Sequence, residues 1–82
     1  MQTALSDIPV DSTREISGIT EDSTVSRRLA ALGFRAGAHV RVIGKAPFGD
    51  PIVVALEHGR VALRKNEAAL ILVGDSEHPE SQ

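Results

Sequence analysis

The 82 residues contain no cysteine, no tryptophan and no tyrosine, and only two phenylalanines, Phe34 and Phe48. Each absence closes a class of explanation. Without cysteine there is no disulfide framework, no thiolate metal site and no cysteine nucleophile. Two aromatics and a net charge of −2 with both signs interspersed leave neither the basic footprint nor the stacking rings of a nucleic-acid binder. They also leave no aromatic-lined groove for a proline-rich ligand. No apolar run approaches the roughly 20 residues that span a bilayer, and Met1 to Asp7 has neither the basic nor the apolar region of an export signal. These features predict a cytoplasmic protein that does not insert directly into a membrane.

What is present is a series of short β-branched runs divided by turn residues. Thr13–Ile19 reads as a first strand, with a bulge at Ser17-Gly18 needed to turn Ile16 and Ile19 to the same side. A helix follows, with Asp22, Ser23 or Thr24 as N-cap and Gly33 as C-cap. Val25, Leu29 and Leu32 form its expected apolar stripe, Arg27 and Arg28 face water, and Phe34 folds back on the last turn. His39–Ile43 and Ile52–Leu56 then face each other across Ala46–Pro51, whose Pro47, Gly49, Asp50 and Pro51 specify a tight loop. Val40 and Val42 share one face, as do Ile52, Val54 and Leu56. Glu57–Arg60 turns the chain into Val61–Leu63, Lys65–Ala69 suits one helical or 3₁₀ turn, and Leu70–Val73 is a last strand apolar on both faces. For Met1–Ser12, docking through Leu5, Ile8 and Val10 and fraying are both compatible with the residues.

The expected fold is therefore mainly β: a small SH3-like barrel of five strands, with one α-helix inserted between the first and second strands. An open α+β sheet with the helix on one face is the alternative. Residues 1–74 form the domain, and 75–82, polar and without an apolar residue beyond Pro79, form a disordered tail.

The ordered set Arg28-Leu29-Ala30-Ala31-Leu32-Gly33-Phe34-Arg35-Ala36-Gly37, Ala46-Pro47-Phe48-Gly49-Asp50-Pro51-Ile52, Val61 to Ala68 and Ile71-Leu72-Val73 resembles the FeoA family. Those are small SH3-like cytosolic proteins associated with the bacterial ferrous iron transporter FeoB. Each piece alone is common, and it is their order and spacing from about Leu5 to Val73 that is specific. Leu5-Ser6-Asp7-Ile8-Pro9 also fits the way such proteins begin, which favours docking of the N-terminal stretch. Two departures fall in turns. Ala36-Gly37 replaces a frequent Pro-Gly, with Gly37 still supplying the permissive position. Val10-Asp11 stands where members often have Gly, which leaves the path of the first turn open.

The resemblance implies an accessory protein of ferrous iron uptake that binds FeoB by protein–protein contact and is recruited through it to the inner face of the membrane. The alternative is a stand-alone SH3-like regulatory module acting on an iron-dependent transcriptional repressor. No nucleophile elbow, phosphate-cradling loop or carboxylate pair is present, and Gly44-Lys45 lacks the rest of a P-loop, so no enzyme and no cofactor are expected. His39, His58 and His78 lack the spacing of a local metal site, and none is predicted. Phe48 has two readings. Either its ring plugs the barrel, or Pro47-Phe48 stands out as an apolar knob with Asp50 and Arg64 as its polar rim. Arg27, Arg28 and Arg35 form a second candidate surface, against which stands a simple solvated face.

Overall fold

The computed structural model describes residues 2–21 and 23–75. Six antiparallel strands follow one another in the spatial order β1-β6-β2-β3-β4-β5. They are β1 Gln2–Ala4, β2 Thr13–Ile19, β3 His39–Lys45, β4 Ile52–Leu56, β5 Gly59–Leu63 and β6 Ile71–Gly74. One helix, α1 Thr24–Leu32, connects β2 to β3, and a single turn, α2 Lys65–Ala68, precedes β6.

The strand missing from the five-strand expectation is β1, which pairs with β6 through Thr3 opposite Val73. The helix consequently lies between the second and third strands. Gln2-Thr3-Ala4 shows no apolar alternation, and it becomes a strand because β6 offers it backbone partners. A 3₁₀ turn at Leu5–Asp7 then sends Leu5 into the core, and Ile8 is buried beside it, so this stretch docks. Val10, the third residue expected to dock, is exposed.

The open turn is settled at Asp11, which adopts φ 75°. A short polar side chain tolerates this left-handed conformation better than most, though not as freely as glycine. The turn is fixed by two backbone bonds to β3, Asp11 N–H to the Val42 carbonyl at 2.7 Å and Val42 N–H to the Ser12 carbonyl at 3.0 Å.

The predicted bulge is present. Ile16 pairs with Val73 and Gly18 with Leu72, so Ser17 is the extra residue. β2 also changes partner here: Thr13–Glu15 pair with β3, and the remainder pairs with β6. A second register shift between Val42 and Gly44 bends β3 against β4. These two corners fold the sheet around Ile16, Val40, Val42, Ile52, Val54 and Val73, all buried.

Helix α1 is capped by Ser23, whose Oγ accepts from Ser26 N–H at 3.2 Å while Ser26 Oγ accepts from Ser23 N–H at 2.7 Å. Gly33 closes it at φ 115°, and Phe34 N–H donates to the Leu29 carbonyl. The expected stripe is corrected. Only Leu29 of it is buried; Val25 and Leu32 are 36% and 48% exposed. At about 100° per residue the covered arc runs through the buried Leu29 and Ser26 to the half-buried Gly33 cap, which leaves Val25 and Leu32 on its margin. Phe34, just past the cap, is fully buried. The tail reading falls mostly on residues 76–82, which lie outside the described residues.

Candidate functional site

Pro47 and Phe48 lie at the tip of the loop joining β3 and β4, and Phe48 is 93% exposed. The barrel-plug reading is therefore overturned, because Phe34 is the aromatic of the core. The loop nevertheless has a defined shape. Gly49 N–H donates to the Ala46 carbonyl at 2.7 Å with Gly49 at φ 82°, and Ala46 N–H donates to the Pro51 carbonyl at 3.0 Å. These bonds close the base of the loop and hold its tip outward. The Asp50–Pro51 peptide is cis.

Asp50, expected on the polar rim, is exposed and is also tied to α2. Its Oδ1 accepts from Lys65 N–H at 3.0 Å, satisfying one of the donors that the start of α2 leaves without a helical partner. Arg64 N–H donates to Glu67 Oε1 at 2.8 Å, and the other carboxylate oxygen of Glu67 pairs with Arg28 of α1. Arg64 itself is exposed. Asp50 and Arg64 line one shallow groove with Ser6, Lys65 and Asn66, so the structure does bring these two predicted residues together. On the near side Lys45 Nζ reaches the Ser6 carbonyl at 3.4 Å. The knob is thus an apolar tip on a hydrogen-bonded base, with Lys45, Arg64 and Lys65 around the base.

The larger concavity was not foreseen. A cavity of about 850 Å³ opens between the end of α1, the 35–39 segment and the β4–β5 hairpin. Leu32 of the expected helical stripe lies in it, with Leu56 and Val61, which also pack against the core. The available signal was the density of Arg35, His39, His58 and Arg60 in and beside two turns that neighbour each other only in the folded chain. His39 and His58 are both exposed there, and His78 lies outside the described residues. Among the described residues no group of three His, Cys, Asp or Glu side chains stands close enough to hold a metal ion. None of their helices is long and apolar enough to cross a membrane.

A small antiparallel β domain with sharply bent strands, one short helix and an exposed apolar loop has the form of an SH3-like domain. The family assignment is direct: the FeoA domain matches residues 3–74, and the chain belongs to the FeoA family. Among solved structures it is similar to a FeoA-like protein from Clostridium acetobutylicum, with 34% identity, a TM-score of 0.84 and 98% of this chain covering 94% of that one. It is also similar to Stenotrophomonas maltophilia FeoA solved with zinc, with 32% identity, a TM-score of 0.80 and 88% of this chain covering 89% of that one. That protein is described as a prokaryotic SH3 domain protein and as a candidate activating factor of bacterial ferrous iron transport. A manganese-dependent transcriptional repressor carries the same fold over 40% of its length, at 25% identity, 88% of this chain and a TM-score of 0.79. No curated protein matches the chain in sequence.

Proposed function

We propose that this protein is a cytoplasmic, non-enzymatic accessory protein of bacterial ferrous iron uptake that binds the FeoB transporter through the Pro47-Phe48 loop, with Arg64 beside it, and is held at the membrane by that contact. The observation that carries this is Phe48, an aromatic ring 93% exposed on a loop whose base is fixed by hydrogen bonds. Covering an exposed aromatic ring removes apolar surface from water, and a fixed loop loses little entropy when a partner covers it. Asp50 contributes by holding the loop against α2, not by touching the partner. Family membership and the described role of the Stenotrophomonas protein support the transport setting.

The test is co-purification of the wild-type protein and of Phe48→Ala with detergent-solubilised FeoB from the same organism. Retention of the wild type and loss of the variant, with unchanged circular dichroism, is the expected result. Equal retention of both would sink the loop assignment. Association with a DNA-bound repressor in place of the transporter would favour the regulatory-module reading.

A further inference from the structure

The cavity beside α1 lies at the far end of β4 from the Phe48 loop, and its surface chemistry is different. Its apolar part consists of Leu56 on β4 and Val61 on β5, both half-buried, and the exposed Leu32 at the end of α1. Its rim is cationic. Arg35 and Arg60 are exposed on opposite sides, and His39 and His58 add two imidazoles. Glu57 is the one carboxylate lining it, and Glu15 on β2 faces His39 in the β2–β3 register. Among the lining residues two guanidiniums stand against one carboxylate, a small positive excess in a chain of net charge −2.

The wall formed by Gly59, Arg60 and Val61 belongs to β5, which ends the sheet. In a hairpin closed by a two-residue turn, the pair flanking the turn exchanges both hydrogen bonds, here Leu56 with Gly59. Alternation then directs Val61 and Leu63 inward as well, and the backbone N–H and C=O of Arg60 and Ala62 outward. Among the described residues no strand pairs with that side. An apolar seat, a cationic rim and an open strand edge thus meet in one place.

We infer that this cavity and the β5 edge form a second docking site, which takes an extended, acidic segment of a partner protein. An aliphatic side chain of the segment sits on Leu32, Leu56 and Val61, carboxylates lie against Arg35 and Arg60, and its backbone pairs with Arg60 and Ala62. Backbone pairing of this kind supplies affinity, and the seat and rim supply selectivity. A second copy of this chain is a poor occupant, because edge-to-edge pairing would bring two cationic rims together. A nucleic acid would find the charge but no ring to stack on. The inference is independent of the Phe48 loop, and with both surfaces occupied the protein acts as an adaptor.

The experiment uses the full chain and three fluorescein-labelled probes: a short peptide alternating Glu with Leu and Val, its counterpart with Lys in place of Glu, and a single-stranded oligonucleotide. Anisotropy should show saturable binding of the acidic peptide alone. Its affinity should fall about tenfold or more in the double variant Arg35→Glu/Arg60→Glu, fall with ionic strength, and stay unchanged in Phe48→Ala. Amide shifts in the wild type should centre on Leu32, Leu56 and Arg60 to Ala62. No saturable binding, equal affinity for the lysine peptide, displacement by the oligonucleotide, an undiminished double variant, or shifts centred on residues 46–51 would each overturn the proposal. Since the Phe48 contact is scored with FeoB and this site with peptide, failure of one is separable from failure of the other.

Discussion

The carboxylate of Asp50 and the backbone N–H of Lys65, fifteen residues apart in sequence, meet at 3.0 Å and tie the β3–β4 loop to the first turn of α2. The bond gives α2 an acceptor at its start and gives the loop a fixed base two residues from Phe48. Replacing Asp50 by Ala removes that acceptor and should cost about 1 kcal/mol. Asn keeps an acceptor and should cost less. Urea denaturation gives the stability difference, and hydrogen exchange at the Lys65 amide shows whether the lost bond is responsible.

The two phenylalanines should behave oppositely. Phe34→Ala empties a fully buried site and is expected to cost about 3–5 kcal/mol. At about 4–8 °C per kcal/mol for a domain of this size, that is enough to unfold much of the population near room temperature. Phe48→Ala should stay within about 0.5 kcal/mol of the wild type. A large loss of stability in Phe48→Ala on a thermal melt would return that ring to the core.

Within α1, Leu29→Ala should cost about 2–5 kcal/mol, whereas Leu32→Ala, at a half-exposed position, should cost well under half as much. Equal costs in chemical denaturation would restore the three-residue stripe and remove Leu32 from the cavity wall.

Gly33→Ala places a Cβ at φ 115° and 3.3 Å from Leu56 Cδ1, and is expected to destabilise by about 1 kcal/mol or more. Gly18→Ala meets no atom within 4 Å and no positive φ, so it should be near neutral. Parallel melting curves of the two variants separate backbone conformation from the mere addition of a methyl group.

Asp11→Gly relieves a non-glycine residue at φ 75° and should stabilise the domain by about 0.5–1 kcal/mol. The exposed Asp11–Arg41 ion pair, at 3.5 Å, is lost in the variant, and such pairs are worth little. A lower denaturation midpoint would mean that the ion pair outweighs the backbone strain.

Strand alternation, the bulge at Ser17, the Gly33 cap and the short α2 turn were legible in the sequence because each rests on a local rule: period, an extra residue, or a residue that tolerates positive φ. The readings that failed depend on what lies across the fold. β1 has no pattern of its own and exists through β6. Phe34 and Phe48 are the same residue type beside similar turns, and only the packing of Leu29 and the closure of Ala46 onto Pro51 decide which ring is buried. Leu56 and Val61 pack against the core as strand alternation assigns them, but with Leu32 of the helical stripe they also border a cavity, because α1 covers β4 only as far as its cap. Of the loop, the outward tip was one of two readings open in the sequence and the exposure of Arg64 was legible; the bond from Lys65 to Asp50 was not, since that donor is a backbone N–H fifteen residues away.

The change of partner in the middle of β2 has a consequence for how the molecule comes apart. Thr13–Glu15 pair with β3, the Ile16 backbone is bonded to Gly37 and Ala38 just ahead of β3, and Ile16, Gly18 and Ile19 are in register with β6, so one continuous strand is anchored in both halves of the sheet. Neither half can open without disturbing the strand that the other needs, and partial unfolding along this seam is therefore disfavoured. The amides of β2 around Ile16 should be among the slowest to exchange, and their opening should coincide with loss of the whole domain in a single cooperative step.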